Sequence, residues 1–266
     1  MARVGTIALR GHPTWVSVGR TRGPDVVLLH GGLSSSGGML RRIGGRLRDR
    51  YRVSAFDRRG HGRTADTPAP FHYEAMADET VAFLEYLGRR ADLVGHSDGG
   101  IIALLVARAR PDLVRRLVVV GGNLHPRGLE DVAPFPLRGP VFEGWAARFG
   151  ELSPDGPTHA RTVARKSLRL FASEPDLRAG DLRAIGHPTL IMGGDDDSTR
   201  LEHLVAMYRA LPRGQLAIVP GASHAVLSER PALCATLIRE FLAGPVVPVT
   251  RQPVRRALPR VAGPGQ

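Results

Sequence analysis

Short apolar runs alternate with longer amphipathic stretches along most of the chain, and this alternation predicts strands separated by helices. The apolar runs predict strands over residues 26–29, 51–56, 91–94, 117–120, 189–192 and 216–219. Most of these runs lack polar alternation, which is typical of strands buried on both faces of a mainly parallel sheet. Two weaker runs, at 6–9 and 15–18, flank a turn at Gly11-His12-Pro13 and predict a pair of edge strands.

The stretches between the strands carry helical patterns. They predict helices over residues 39–48, 73–87, 201–211 and 231–242, and over the apolar stretch that follows Gly100 and ends before Pro111. The stretch 73–87 is amphipathic, because Met76, Phe83 and Leu84 fall near one face. Gly88 follows it directly and is expected to end the helix, since glycine readily adopts the left-handed conformation of a helix C-terminus.

The pattern changes between residues 123 and 187, where prolines and glycines cluster and no strand is evident. Short helical pieces around 141–149 and 159–171 predict a small helical cap inserted after the sixth strand. The predicted fold class is therefore α/β, with a mostly parallel eight-stranded sheet and helices on both faces. The predicted domains are a core over 1–122 and 188–244, a cap over 123–187, and a disordered basic tail over 245–266.

Length and composition agree with a globular protein. The chain has 266 residues, of which 42% are hydrophobic, and this is enough for one domain with an inserted subdomain. The apolar runs are too short to span a bilayer, and the N-terminal residues lack the apolar region of a signal peptide. The single cysteine, Cys234, excludes an internal disulfide and lies in a helical pattern, where we expect it to pack. Together these features predict a cytoplasmic location.

The formal net charge is +12, a value that raises the question of nucleic-acid or membrane binding. The arginines are spread over many segments, and aromatic residues for base stacking make up only 5%. We therefore expect a small-molecule substrate, with no nucleic-acid or membrane partner, and a monomer or homodimer. The arginines at 251, 255, 256 and 260 of the tail are expected to be solvated, although they could contact an acidic partner.

The most informative motif is Gly95-His96-Ser97-Asp98-Gly99-Gly100, which lies between a predicted strand and a predicted helix. This is the G-x-S-x-G pattern of a nucleophile elbow, in which the serine sits at the apex of a sharp turn. The strained turn leaves no room for side chains two positions before and after the serine. Ser97 is therefore predicted to be a nucleophile, provided that a base and an acid lie nearby.

Two later loops supply candidates for those partners. Asp195, Asp196 and Asp197 follow the strand that ends at Met192, and His224 follows the last predicted strand. A serine hydroxyl needs a histidine base, and that histidine needs an acid that fixes its tautomer. Because the carboxyl ends of parallel strands share one edge of the sheet, we expect these loops to meet the elbow there. A metal site at the three aspartates is the alternative, but no His or Cys spacing accompanies them, and no metal or other cofactor is expected.

The chain resembles the α/β-hydrolase superfamily over roughly residues 5–243. The resemblance rests on motifs in the right order: His30-Gly31-Gly32, Asp57-Arg58-Arg59-Gly60-His61-Gly62, the Gly95–Gly99 elbow, the Gly194–Asp197 loop and Gly221–His224. Within the superfamily, the G-x-S-D-G-G elbow is similar to that of the valacyclovirase-like and esterase branch. Dehalogenases and epoxide hydrolases of this fold carry aspartate at the nucleophile position, and here that position is Ser97.

The resemblance assigns roles to individual residues. It implies that Asp197 is the acid, with Asp196 or Asp195 as alternatives, and that His224 is the base. It also implies that backbone N–H groups form the oxyanion hole, one from Asp98 and one from Gly32, with Leu33 as the alternative to Gly32. These assignments complete a predicted catalytic triad of Ser97, Asp197 and His224.

Asp98 leaves two interpretations open. Its carboxylate could turn towards the first N–H groups of the following helix, or it could pair with a cationic substrate such as an amino-acid ester. Apolar residues of the predicted cap are candidates for a substrate pocket, or for packing of the cap onto the core. The candidate substrate-binding residues are Leu33, His96, Asp98, Phe142 and Trp145, and further apolar cap candidates are Phe135, Leu137 and Phe149.

The sequence therefore predicts a serine hydrolase that cleaves a carboxylic ester of a small molecule through an acyl-enzyme. An amide, lactone or thioester is a further possible substrate. The alternatives are use of the same triad for lyase, perhydrolase or acyltransfer chemistry, and a non-catalytic ligand receptor on the same scaffold.

Overall fold

A computed structural model describes residues 2–248 and 250–254 of the chain. Met1, residue 249 and residues 255–266 lie outside the described residues, so much of the predicted tail does too. Among the described residues, no helix combines the length and the apolar character that are needed to cross a bilayer.

The eight strands form one sheet with the spatial order β1-β2-β4-β3-β5-β6-β7-β8. The strands are β1 Arg3–Leu9, β2 His12–Val18, β3 Asp25–Leu29, β4 Arg52–Phe56, β5 Ala91–His96, β6 Val114–Val120, β7 Thr189–Asp196 and β8 Gly214–Ser223. β2 pairs antiparallel with β1 and β4, and every other neighbouring pair is parallel. The predicted mostly parallel sheet of eight strands is therefore confirmed.

Helices connect the strands on both faces of the sheet. The α-helices are α1 Ser36–Met39, α2 Gly45–Leu47, α3 Tyr73–Leu87, α4 Asp98–Ala109, α5 Pro140–Gly150, α6 Ala160–Ser173, α7 Leu201–Ala210, α8 Val226–Glu229 and α9 Pro231–Ala243. A π-helical segment, Leu40–Gly44, joins α1 to α2. Short 3₁₀ turns cover Pro111–Leu113, Pro126–Gly128, Pro157–His159 and Ala179–Ala184.

Two hydrophobic clusters fill the space between the sheet and these helices. Successive side chains of a strand point to opposite faces, and β3 shows this directly: Val27 and Leu29 belong to one cluster, Val26 and Leu28 to the other. The first cluster includes residues of α3, α4 and α7, and the second includes residues of α1, α9 and the π-helical segment. Burial on both faces explains why the central strands are continuous apolar runs.

The observed helices lie close to the positions predicted from the sequence. The helix at 73–87 has the predicted bounds, and Gly88 follows it with φ 67° and caps the helix end. The segment predicted as one helix over 39–48 instead begins at Ser36 and changes to π geometry at Leu40. Between β6 and β7 the chain forms α5, α6 and 3₁₀ turns. The division of the chain into a core domain and a cap stays a prediction.

Candidate active site

Ser97 stands at the apex of a strained turn between β5 and α4. Its φ of 54° and ψ of −120° are unusual for a residue with a side chain. A Cβ atom on Gly95 would lie 2.1 Å from the Gly99 carbonyl oxygen, and one on Gly99 would lie 2.1 Å from the Leu29 carbonyl oxygen. The backbone N–H of Ser97 donates to the Val120 carbonyl at 2.8 Å, which ties the turn to β6. The glycines therefore permit the turn that presents the Ser97 side chain at the sheet edge.

His224 and Asp197 meet at the same edge. Nδ1 of His224 lies 2.7 Å from Oδ1 of Asp197, and the Thr199 backbone N–H donates to the same oxygen at 2.9 Å. Burial alone would raise the pKa of the Asp197 carboxyl, but the hydrogen bond and charge of His224 and the backbone N–H groups lower it below its ordinary value. Asp197 is therefore a buried carboxylate within hydrogen-bond distance of Nδ1 of His224.

The two neighbouring aspartates point elsewhere. Asp195 accepts a hydrogen bond from the Ala222 backbone N–H at 3.1 Å, and Asp196 is exposed. Among the described residues, no group of three or more His, Cys, Asp or Glu side chains could hold a metal ion. Of the three aspartates, Asp197 is therefore the one within hydrogen-bond distance of His224.

A second histidine supports the loop that carries His224. Nε2 of His96 lies 2.8 Å from the His224 carbonyl oxygen, and the two rings are 5.0 Å apart. Because a carbonyl can only accept, this nitrogen carries the hydrogen. Desolvation, followed by the charge of His224, lowers the pKa of His96 to about 4, so its ring is neutral at pH 7. His96 therefore holds the His224 backbone in place without adding charge.

Gly121, at the end of β6, faces the imidazole–carboxylate pair. Its φ is 58°, and a Cβ there would lie 3.0 Å from two atoms of the His224 ring and 3.2 Å from Oδ2 of Asp197. It directly follows the predicted strand at 117–120, and no sequence motif marks it as part of the site. Its lack of a side chain leaves room for the pair.

Ser97 and His224 line one cavity of about 160 Å³, which we name the elbow cavity. The remaining lining residues are Tyr73, Asp98, Gly121, Asn123, Leu129, Phe171, Glu174 and Ser198. Tyr73, Phe171 and Glu174 were not among the predicted site residues, because they lie far in sequence from the recognised motifs. They line the cavity only as a result of tertiary packing.

The loop after β3 approaches the serine. A Cβ on Gly31 would lie 3.2 Å from Cβ of Ser97, and one on Gly32 would lie 2.5 Å from the Phe171 ring. Leu33 has a φ of 52°, so the chain turns sharply immediately after Gly32. The Asp98 N–H lies in the first turn of α4, where backbone N–H groups have no acceptor within the helix. The loop after β3 and the first turn of α4 therefore both bring backbone groups next to Ser97.

The Asp98 carboxylate has partners inside the protein. Its Oδ1 accepts a hydrogen bond from the Tyr73 hydroxyl at 3.0 Å, and its Oδ2 lies 3.7 Å from Nη2 of Arg58. Asp98 is 3% exposed and Arg58 is 1% exposed. Burial raises the pKa of Asp98, while the Arg58 charge and the Tyr73 hydroxyl oppose that increase. Arg58 and Tyr73 are thus side-chain contacts of this carboxylate that the sequence did not predict. Recognition of a cationic substrate by Asp98 stays a prediction.

The aromatic residues of the predicted cap group around Trp145. Its Nε1–H donates to the Leu33 carbonyl at 2.7 Å, and its ring lies 5.4 Å from that of Phe149. Phe142 is 6% exposed and packs 6.0 Å from Trp145, outside the elbow cavity. Leu33, Trp145 and Phe149 line a second cavity of about 190 Å³. Of the candidate substrate residues, His96 and Asp98 therefore lie at the elbow, and Leu33 and Trp145 line the second cavity. Phe142 packs against Trp145 and lines neither cavity.

Comparison with known proteins gives one family and a consistent fold. A sequence model described as "Alpha/beta hydrolase family" matches residues 26–237. In the solved structure of CarC, a serine hydrolase involved in carbazole degradation, the matching chain has a TM-score of 0.77 at 22% identity. That similarity covers 91% of this chain and 99% of the other, and it concerns the fold.

Two curated relatives are similar over most of their length. "Putative carbamate hydrolase RutD" of Agrobacterium fabrum is 29% identical over 253 residues, covering 84% of this chain and 95% of the relative. The mouse sn-1-specific diacylglycerol lipase ABHD11 is 29% identical over 263 residues, covering 83% of this chain and 81% of the relative.

Proposed function

Since the chain belongs to the alpha/beta hydrolase family, we propose that it is a serine hydrolase that cleaves a carboxylic ester of a small molecule. The observation that carries this proposal is the 2.7 Å contact between His224 Nδ1 and Asp197 Oδ1, beside a cavity that Ser97 also lines. That contact leaves Nε2 of His224 free of a hydrogen and able to accept the serine proton.

In the proposed first step, Oγ of Ser97 attacks the ester carbonyl carbon while His224 Nε2 takes the hydroxyl proton. The tetrahedral intermediate then collapses, the alcohol leaves with the proton returned by His224, and an acyl-enzyme remains. Asp197 stays ionised and stabilises the imidazolium that forms between these events. Water deprotonated by His224 next attacks the acyl-enzyme, which releases the acid and restores Ser97.

The developing oxyanion needs donors that are in place before the charge forms. The backbone N–H groups of Gly32 and Asp98 are proposed for this role. The position of Gly32 between Gly31, which approaches Ser97, and the sharp turn at Leu33 supports the first assignment. The start of α4 supports the second, because a helix N-terminus carries a partial positive charge. The pairing of the Asp98 carboxylate with Arg58 and Tyr73 reduces its repulsion of the oxyanion.

Hydrolysis of simple esters tests the proposal. The purified protein is expected to release p-nitrophenol from p-nitrophenyl acetate and butyrate, and free acetate or butyrate should accumulate in equal amount. Equal release identifies water as the acceptor of the acyl group, whereas a deficit of free acid would indicate acyl transfer to another molecule. Absence of turnover on esters and on the amide, lactone and thioester analogues would contradict the proposed function.

The names of relatives indicate two other reactions that the same site could be tested for. A carbamate would be attacked at its carbonyl by the same serine, and two relatives in this comparison at 29% identity carry that activity in their names. A protein named non-heme haloperoxidase from Rhodococcus erythropolis is 31% identical over 212 residues, which favours testing hydrogen peroxide as a replacement for water in deacylation. Both reactions keep Ser97 as the nucleophile.

A further inference from the structure

The cavity lined by Leu33 and Trp145 is also lined by three arginines. We name this 190 Å³ space the arginine cavity; Arg41 and Arg42 enter it from the helical segment after α1, and Arg148 enters it from α5. Its apolar lining is formed by Leu33, Trp145, Phe149, Leu152 and Val163. A cavity with an apolar wall and several cationic groups is suited to a small organic anion rather than to a neutral molecule.

The charges of these arginines are not neutralised within the protein. Among the described residues, none of the three makes an ion pair with a carboxylate, whereas the nearby Arg63 pairs with Asp57 at 3.1 Å. All three are exposed, so each guanidinium is available to a ligand. Guanidinium groups bind carboxylate and phosphate oxygens through paired N–H donors.

Polar groups of the loop and of a buried histidine complete the lining. Ser34 and Ser35 contribute hydroxyl-bearing side chains from the segment after Leu33. His61 also lines the cavity; it is 2% exposed, and among the described residues its Nε2 has no hydrogen-bond partner. Its Nδ1 lies 3.0 Å from the Arg59 carbonyl oxygen and therefore carries the hydrogen, which leaves Nε2 as an acceptor.

The arginine cavity lies next to the proposed nucleophile. A Cβ on Gly31 would lie 3.2 Å from Cβ of Ser97, and Leu33, two residues further along, lines the arginine cavity. Two residues of extended chain span at most about 7 Å. The charge of Arg42 is also among the influences that lower the pKa of His96, which places this guanidinium within electrostatic reach of the elbow. The end of the arginine cavity that Leu33 forms is therefore within roughly 10 Å of Ser97.

From this arrangement we propose that the arginine cavity binds an anionic group, a carboxylate or a phosphate, on the ester substrate, a role that rests on the hydrolase function proposed above. The anion contacts Arg41, Arg42 and Arg148, and the aliphatic linker packs against Trp145 and Phe149. The scissile carbonyl then lies on the other side of Leu33, at Ser97. The enzyme thus prefers esters that carry a negative charge a few atoms from the carbonyl.

The test compares substrates that differ only in charge. Monomethyl glutarate is paired with methyl glutaramate, and 4-acetoxybutanoate with 4-acetoxybutanamide, so that the charge lies on the acyl side in one pair and on the alcohol side in the other. Methyl 4-phosphonobutanoate distinguishes a phosphate-like group from a carboxylate. The readout is the ratio of kcat/KM for the anionic and neutral members of each pair.

Arg42→Gln and Arg148→Gln are each expected to lower that ratio roughly tenfold for at least one pair, which is the loss of one charge-assisted hydrogen bond. Arg48→Gln is the matched control: Arg48 is exposed at the end of the same helical region and does not line the cavity, so the ratio should not change. An unchanged ratio in both cavity variants, or the same change in Arg48→Gln, would overturn the inference.

A binding measurement separates this inference from the proposed function. Glutarate and inorganic phosphate are titrated calorimetrically into wild-type protein and into Arg42→Gln. Binding that weakens about tenfold in the variant supports the arginine cavity even if no ester is hydrolysed. If esters are hydrolysed but neither anion binds and no pair shows a charge preference, the hydrolase function stands and the anion site is wrong.

Discussion

Replacement of Ser97 by alanine is expected to lower kcat for ester hydrolysis by about 10⁴-fold or more, because the variant retains the cavity but has no atom that can form the acyl-enzyme. Ser97 is partly exposed in the elbow cavity, and loss of one oxygen there leaves no buried polar partner behind. We therefore expect the variant to fold normally and to bind substrate with a nearly unchanged affinity. Initial rates of p-nitrophenyl butyrate hydrolysis provide the measurement.

Ser228→Ala is the control for the chemical change. Ser228 is an exposed serine in α8, and its replacement is expected to keep kcat within about twofold of wild type. Circular dichroism and thermal unfolding of both variants verify that the fold is retained. If Ser97→Ala keeps turnover near the wild-type rate, the hydroxyl of Ser97 is not the nucleophile.

The second large effect is expected for Asp197→Asn, which should lower kcat by about 10⁴-fold while changing substrate affinity little. The amide has nearly the same shape, but it carries no charge to stabilise the imidazolium. Its N–H₂ can also donate to His224 Nδ1, which would place the hydrogen on Nε2 and prevent that nitrogen from accepting the serine proton. kcat is measured from pH 6 to pH 9. These measurements distinguish a shift of the pH–rate profile along the pH axis from a decrease of the maximal rate.

The neighbouring aspartate supplies a matched control. Asp195 belongs to the same loop, but it accepts a hydrogen bond from Ala222 and does not contact His224. Asp195→Asn is expected to lower kcat by far less than Asp197→Asn, since only the loop conformation is affected. Equal losses in the two variants, or a larger loss at Asp195, would show that the assignment of the acid is wrong.

The strand pattern could be predicted from the sequence because burial on both faces produces continuous apolar runs. β3 is a clear case: all five of its residues are buried, and the predicted strand at 26–29 lies within Asp25–Leu29. The elbow was also predictable, since Gly95 and Gly99 are required by backbone contacts that occur wherever this turn forms. The order of elbow, acidic loop and histidine loop predicted that these loops meet at one sheet edge, and the family resemblance selected Asp197 among the three aspartates. Asp197 and His224 are hydrogen bonded there.

The contacts that set the charge of the site could not be predicted from the sequence. The Asp98 carboxylate pairs with Arg58 and accepts a hydrogen bond from Tyr73. Both residues lie in other segments and approach Asp98 only after β4, α3 and α4 have packed together. Trp145 contacts the Leu33 backbone through a single hydrogen bond that no periodicity encodes. The helical start at Ser36 and the π-helical segment were missed for a different reason, because glycines at 37, 38, 44 and 45 weaken the helical pattern there.

Reaction with a fluorophosphonate is the sharpest test of whether Ser97 is an activated nucleophile. Attack by Oγ on phosphorus displaces fluoride and leaves a stable adduct, which intact-protein and peptide mass spectrometry locate. We expect one adduct per chain, on the peptide that contains Ser97, with labelling lost in Ser97→Ala and strongly slowed in Asp197→Asn. An unmodified Ser97 after prolonged exposure, or equal labelling of Ser97→Ala, would contradict it.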